Sequence, residues 1–217
     1  MTLDGYRSTQ RRSVALLGAG QVLGGLGLGA TLSLGAIIAA SLSGSPAWSG
    51  MAATMSTLGA AAAAIPLARL ARARGRRVAL TVGALAAALG AVATIASVVA
   101  GSFPLLLVAL ALLGCGSAVA LQARFAATDL AGEKHRARDL SLVVWATSIG
   151  AVVGPNLVGP GEQLGAAIGL PPLAGPFVFT IVAQLAAATV YVVGLRPDPL
   201  LLRQRLDATP EPGATVG

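Results

Sequence analysis

The sequence predicts an all-α integral membrane protein with six transmembrane helices. Of the 217 residues, 55% are hydrophobic and only 11% are charged, and the mean hydropathy is +0.80. Soluble domains carry about 25% charged residues, so this chain has too few to cover a water-exposed surface. Two further observations, the number of long apolar segments and the placement of the basic residues, support the same fold class.

Six segments are long and apolar enough to cross a bilayer, which takes about 20 mostly apolar residues. They contain no charged residue and cover 14–40, 48–67, 78–99, 103–123, 140–158 and 174–195. The first follows Arg11 and Arg12 in the manner of a signal peptide. It is too long for a signal-peptide core of roughly 7 to 15 residues, so it is predicted to be the first span.

All fifteen Lys and Arg residues lie before span one, between spans two and three, between spans four and five, or after span six. The other three loops, 41–47, 100–102 and 159–173, contain none. By the positive-inside rule, this distribution predicts cytoplasmic N- and C-termini. The expected organisation is a cytoplasmic segment 1–13, a six-helix domain 14–195 and a polar, Pro-rich cytoplasmic tail 196–217 that is predicted to be disordered. The predicted location is the inner (plasma) membrane.

The net charge of +7 raises the possibility of a nucleic-acid-binding protein, but other features argue against it. No aromatic residue lies between Trp48 and Phe103, so the arginines of 69–77 have no neighbouring side chains for base stacking. An intramembrane enzyme is not expected either, because the single His135 lies in a charged loop and no span holds a carboxylate. With Cys115 as the single cysteine, no disulfide within the chain, metal site or cofactor is expected.

Glycines form spaced pairs in two spans. In span one, Gly20 and Gly24, and likewise Gly25 and Gly29, are four residues apart, a spacing that brings helices close together in lipid. Their alternative role is to line a substrate path. In span five the pattern is G-x-x-x-G-P followed by another glycine; it comprises Gly150, Gly154, Pro155 and Gly159. Because proline lacks a backbone donor, a kink is expected beside Asn156.

Residues 68–77, ARLARARGRR, resemble the loop signature of the major facilitator superfamily, G-x-L-a-D-R-x-G-R-R. The matching residues are Leu70, Ala71, Gly75, Arg76 and Arg77. Ala68 replaces a glycine, Arg72 the usual aspartate and Ala73 an arginine. The span-five motif is similar to the superfamily's antiporter signature, with Val158 in place of one glycine. Residues 123–157 also resemble the corresponding region of actinobacterial-type members.

The resemblance implies alternating-access transport of a small solute, with the span-five signature favouring export. Members of the superfamily have twelve or fourteen spans, so this chain resembles an N-terminal six-helix half. In the family the loop aspartate helps to latch the outward-facing state. With Arg72 in its place, a latch would need another carboxylate, such as Asp129, Glu133 or Asp139. Proton coupling would have to use Asp139 or the second half.

The polar residues within or beside the spans are candidates for a substrate path, namely Gln21, Gln122, Trp145, Asn156 and Gln184. Each could instead form a hydrogen bond between helices. The expected partners are the lipid bilayer, a small-molecule substrate, and a second six-helix half or a second copy of the chain. Two alternatives remain: a truncated non-transporting or regulatory membrane protein, and an unrelated six-span protein.

Overall fold

The computed structural model describes residues 3–207, with side chains described for 8–30, 33–132 and 135–204. Over this part of the chain the structure is helical and contains no strand. The helices are α1 Leu3–Ser43, α2 Met51–Arg74, α3 Arg76–Val99, α4 Phe103–Thr128, α5 Glu133–Asn156, α6 Val158–Ala167, α7 Pro176–Gly194 and α8 Pro199–Asp207. A short 3-10 turn, Pro46–Trp48, precedes α2.

The six predicted spans correspond to α1, α2, α3, α4, α5 and α7, which confirms the all-α, six-span fold class. Helix α1 extends beyond the predicted span 14–40 at both ends, and α5 begins at Glu133 rather than at residue 140. Both helices therefore continue past their apolar stretches into the charged segments beside them. Polar residues continue a helix readily, so hydropathy locates the membrane segment but not the end of the helix.

Four helices form a row in the order α5, α1, α4 and α2, with each helix packed against the next. Helices α3 and α7 pack against each other behind this row, α3 against α4 and α7 against α1. One hydrophobic cluster contains Leu17, Leu80 and Tyr191. A second, towards the opposite end, contains Ile38, Leu110 and Phe177. The end at which α2, α4 and α7 finish and α1, α3 and α5 begin is called here the basic end.

Glycines allow several of these helices to touch backbone to backbone. Helices α2 and α4 meet at Gly59 and Gly114, where an added Cβ would overlap the backbone carbonyls of Ala111 and Ser56 respectively. Helices α3 and α4 meet at Gly90, where a Cβ would lie 2.6 Å from the backbone nitrogen of Leu113. In lipid, such close contacts provide much of the helix association energy, because apolar burial offers little advantage there.

Two short helices lie in segments that were expected to be irregular. Helix α6 occupies part of the predicted loop 159–173, because Gly161 and Gly165 pack tightly against Gly175 and Pro176 at the start of α7. The carboxylate of Glu162 accepts the Leu173 amide at 3.0 and 3.1 Å and secures the return of the chain. Helix α8 lies in the tail 196–217, whose disorder stays a prediction. Residues 208–217 lie outside the described part of the chain.

Candidate functional site

The basic end is organised by Arg76, the first residue of α3. Its Nε lies 2.8 Å from Asp129 Oδ2, and its Nη1 donates to Gln122 Oε1 at 2.6 Å. Phe125, on the same helix as Gln122, has its ring centroid 6.0 Å from the guanidinium carbon. One arginine therefore joins the start of α3 to the end of α4 and balances one of the carboxylates proposed for a latch.

Gly75 and Asp198 close the turn between α2 and α3. Gly75 has φ 91°, a left-handed conformation that favours glycine, and a Cβ there would overlap the Asp198 carboxylate. Asp198 accepts the Arg77 backbone amide at 2.7 Å. It also accepts the amides of Leu200 and Leu201 in the first turn of α8, so one carboxylate caps two helices. Helix α8 is tied to α4 as well, because Arg203 donates to the Asp129 backbone carbonyl at 2.9 Å.

Asp139, another carboxylate proposed for a latch, is held from inside the same bundle. Gln10 on α1 donates through Nε2 to Asp139 Oδ2 at 2.8 Å and to the Ala127 carbonyl at 2.8 Å. Three helices therefore meet at Gln10. The side chain of Glu133 lies outside the described residues.

Helices α1 and α5 cross on two pairs of glycines. A Cβ on Gly25 would lie 2.6 Å from the Thr147 carbonyl oxygen and 2.9 Å from Gly150 Cα. A Cβ on Gly154 would lie 2.7 Å from the Leu26 carbonyl oxygen and 2.9 Å from the Cα of Gly29. The pair Gly25/Gly29 of span one and the pair Gly150/Gly154 of span five were noted separately in the sequence. The structure packs them against each other in one contact between α1 and α5.

The other glycines of these motifs have different surroundings. Gly20 lies under the ring of Tyr191, whereas a Cβ added to Gly24 or Gly159 would meet nothing within 4 Å. Helix α5 ends at Asn156, directly after Pro155, and α6 begins two residues later, at Val158. The Leu157 amide bonds to the Gly154 carbonyl at 3.0 Å, so the final turn is tightened where the proline removes a donor.

Gln21 forms a buried hydrogen-bond network inside the bundle. Its Nε2 donates to the Tyr191 hydroxyl at 2.9 Å, and its Oε1 accepts from Thr147 at 3.1 Å. The three residues belong to α1, α7 and α5, and all are buried. This candidate for the substrate path thus connects helices in the present conformation.

Gln184, on α7, lies in a second polar region between α1 and α4. Its Nε2 is 3.1 Å from the Cβ position of Gly27 and 3.5 Å from that of Gly116. Thr180, one turn away, is 1% exposed, and its hydroxyl has no hydrogen-bond partner among the described residues. The small glycines leave room for these polar groups inside a mostly apolar bundle.

The remaining site residues lie at the surface or at the basic end. Trp145 is 70% exposed on α5, and Asn156 is exposed with its amide donating to the Val152 carbonyl at 2.8 Å. Gln122 is buried and bonded to Arg76, whereas Arg72 is exposed on the last turn of α2. The structure thus separates the five candidates into two interior residues, one at the basic end and two on the surface of α5. Their role in substrate binding stays a prediction.

Sequence reasoning did not identify Gln10, Tyr191 or Asp198 as connecting residues. Each carried a weak signal: a polar group in or next to an apolar helix needs a partner. The partners are 129, 170 and 121 positions away in sequence, respectively. In the described part of the chain, no three His, Cys, Asp or Glu residues are grouped so that they could hold a metal ion.

A family model described as Major Facilitator Superfamily matches residues 17–213. The chain belongs to the major facilitator superfamily. This result confirms the resemblance found in the loop 68–77 and in span five, and six apolar helices make this member a multi-pass membrane protein.

Two similar superfamily proteins come from Bacillus subtilis (strain 168). The uncharacterized MFS-type transporter YdeG is 38% identical over 95% of this chain and 48% of its own length. The uncharacterized MFS-type transporter YddS is 40% identical over 88% of this chain and 44% of its own length. The riboflavin transporter RfnT of Brucella anthropi is 34% identical over 68% of this chain and 37% of its own length.

The chain spans about half the length of the curated superfamily relatives that it matches. No solved structure matches it significantly.

Proposed function

We propose that this chain is one six-helix half of a secondary transporter that exports a small solute across the plasma membrane. Its basic end would face the cytoplasm, because all fifteen Lys and Arg residues lie in the four segments expected on that side. The proposal rests on one observation: the match to the MFS-type transporter YdeG covers 95% of this chain but only 48% of YdeG. The activity then requires a second bundle, either a distinct half or another copy.

The connections inside the bundle favour movement of the half as a unit. Arg76 ties α3 to α4, Gln10 joins α1 to α4 and α5, and Gln21 joins α1 to α5 and α7. Alternating access needs two such units that rock against each other around a substrate between them. In the row of four helices, α1 and α4 occupy the centre and would line the substrate path. Trp145 and Asn156, exposed on α5, would meet the second unit or the solute at its edge.

The substrate is proposed to be a small solute with substantial apolar surface, because the spans are rich in alanine, leucine and valine. Riboflavin is a useful first probe: it is fluorescent, and a relative that matches 68% of this chain is named a riboflavin transporter. No carboxylate lies in the six predicted apolar segments. We therefore assign ion coupling to Asp139, at the start of α5, or to the second half.

The test is export from cells preloaded with riboflavin or with other fluorescent aromatic solutes. The chain is expressed alone and together with the C-terminal remainder of YdeG or RfnT. We expect energised export only when a second bundle is present. The C-terminal remainder expressed without this chain serves as the inactive control. If every combination inserts and none moves a solute, the proposal fails in favour of a non-transporting or regulatory membrane protein.

A further inference from the structure

We propose that α2 carries a binding site for an anionic phospholipid of the leaflet at the basic end. The lipid phosphate would lie at Arg69 and Arg72, and an acyl chain would lie along the exposed face of the same helix. The site is separate from the substrate path, and its occupation does not depend on transport. The proposal follows from one stripe of side chains on α2 and from the charge at its end.

Helix α2 presents an exposed stripe that no other helix covers in the described part of the chain. Leu58, Ile65, Arg69 and Arg72 are spaced by seven, four and three positions, so they lie on one face of the helix. Leu58 and Ile65 are 58% and 62% exposed. Only 17% of the apolar part of α2 is buried, the lowest share among the six spans. The stripe is therefore apolar along its length and ends in two arginines.

The apolar part of the stripe matches one leaflet in length. Leu58 and Arg69 are 11 positions apart, which at about 1.5 Å per residue corresponds to about 16–17 Å. One leaflet contributes about half of a hydrocarbon core of about 30 Å. A lipid whose acyl chain lies along Leu58 and Ile65 therefore has its phosphate at the level of Arg69 and Arg72.

The two arginines of the stripe have no counter-charge within the bundle. Both are exposed, and neither Arg69 nor Arg72 forms an ion pair or a side-chain hydrogen bond with a described residue. Arg76, in contrast, is paired with Asp129 at 2.8 Å. A guanidinium binds phosphate oxygens through parallel N–H donors. Unpaired arginines at the end of an apolar stripe thus supply contacts for both parts of a phospholipid.

Further positive charge surrounds the turn that follows α2. Arg74 is exposed in the last turn of the helix. Arg196, also exposed, lies two residues before Asp198, whose carboxylate contacts Gly75 and accepts the Arg77 backbone amide. Basic side chains next to a membrane surface each strengthen the binding of anionic lipids. The turn therefore favours a lipid with net negative charge, such as phosphatidylglycerol, over zwitterionic phosphatidylcholine.

The alternative occupant of the stripe is the second bundle of the proposed transporter. Helices in lipid approach each other through small residues. The side of α2 that packs on α4 follows this pattern, because Ser56, Gly59 and Ala60 lie at the contact. The exposed stripe carries the large side chains of Leu58 and Ile65 instead. We therefore assign the stripe to lipid.

The first test measures the lipid selectivity of the full-length chain by native mass spectrometry. The chain is equilibrated in mixed micelles with phosphatidylglycerol and phosphatidylcholine of identical acyl chains. Wild type should retain phosphatidylglycerol preferentially, and R69Q/R72Q should reduce this preference by about fivefold or more. R69K/R72K keeps the charge and should keep most of the preference. R138Q removes another exposed arginine at the basic end, on α5, and should leave it unchanged.

The second test locates the lipid on the wild-type chain and needs no variant. Phosphatidylglycerol with a photoreactive acyl chain is added in trace amount to phosphatidylcholine vesicles that contain the chain. It should label the part of α2 that contains Leu58 and Ile65 more than α5, and photoreactive phosphatidylcholine should label α2 less. Labelling should persist when the C-terminal remainder of YdeG is present. Excess glycerol phosphate should not displace the lipid, since the acyl chain contributes to binding.

Four results would overturn the proposal. Equal retention of the two lipids by wild type would remove the anionic site, and equal losses in R138Q and R69Q/R72Q would reduce it to the total charge of the basic end. Loss of α2 labelling in the presence of the second bundle would assign the stripe to protein contact. Displacement by glycerol phosphate would assign the arginines to a soluble phosphate compound. None of these measurements requires transport, so each outcome leaves the proposed function to its own test.

Discussion

The guanidinium of Arg76 holds Asp129 at 2.8 Å and Gln122 at 2.6 Å, so a single side chain at the start of α3 fixes the end of α4. The Arg76 and Asp129 side chains are only 13% and 11% exposed. The pair is therefore intermediate between a surface ion pair, worth up to about 1 kcal/mol, and a buried pair whose disruption costs about 3–5 kcal/mol.

Asp129→Asn is expected to destabilise the bundle by about 1–3 kcal/mol, because it leaves the Arg76 charge without its counter-ion. Unfolding in a detergent–denaturant titration measures this difference. Combination with Arg76→Gln gives a double-mutant cycle, and we expect the double variant to lose less than the sum of the single variants. Additive losses would show that the pair contributes no coupling energy.

Neighbouring glycines in α1 should respond very differently to the same substitution. Gly25→Ala places a methyl group 2.6 Å from the Thr147 carbonyl oxygen, whereas Gly24→Ala places one in open space. We expect Gly25→Ala to lose about 1–3 kcal/mol through overpacking. Gly24→Ala should be neutral or slightly stabilising, since alanine favours the helix. Thermal unfolding in detergent compares the two, and equal effects would contradict the observed α1–α5 crossing.

Two glycines of the span-five signature, Gly154 and Gly159, should also respond differently to the same substitution. Gly154→Leu forces α5 away from Leu26 and Gly29 of α1, so transport should be abolished while membrane insertion is retained. Gly159→Leu, where an added Cβ would meet nothing within 4 Å, is the matched control and should retain transport. Export by the assembled transporter is the measurement. Unchanged export by Gly154→Leu would show that this contact is dispensable.

Tyr191→Phe removes only the hydroxyl that accepts from Gln21. Hydrogen bonds between membrane helices contribute about 0.6 kcal/mol on average and at most about 1.7 kcal/mol, so we expect a loss of about 0.5–2 kcal/mol. Tyr191→Ala also removes the fully buried ring that packs on Gly20 and should cost about 3–5 kcal/mol. Equilibrium unfolding of the two variants separates the hydroxyl from the ring. Equal losses in the free energy of unfolding would show that the hydroxyl, and not the ring, provides the stabilisation.

Asp198→Ala should release α8 without unfolding the bundle, because the carboxylate accepts amides from Arg77, Leu200 and Leu201. Hydrogen exchange of residues 199–207 should become faster, while exchange in α3 changes only in its first turn. Asp198→Asn keeps one side-chain acceptor and should give an intermediate result. If exchange in α8 is unaffected, Asp198 does not cap it.

The number of spans could be predicted from the sequence because the bilayer imposes a simple requirement. A spanning helix satisfies its own backbone hydrogen bonds and needs only about 20 apolar residues, so each span is a local property. Helices α6 and α8 were missed for the opposite reason. Their stability depends on contacts with distant parts of the chain, namely Gly175 and Pro176 for α6 and the turn at Gly75 for α8.

The site was predictable in its residue types but not in its pairings. Gly25 and Gly150 were recognised separately as packing positions, yet their contact across α1 and α5 depends on the order of helices in the row. Trp145 and Gln21 were assigned the same role, but one is 70% exposed and the other is buried between helices. Hydropathy cannot distinguish these cases, because in lipid both faces of a helix are apolar.

The sequence by itself determined the membrane class, the six spans, the concentration of positive charge at one end and the family. These properties depend on composition, segment length and local motifs. Only the tertiary structure decided that Arg76 pairs with Asp129 and that Asp198 caps two helices. Such pairings depend on how each helix is rotated and which helices lie beside it, and glycine contacts far apart in the chain set both.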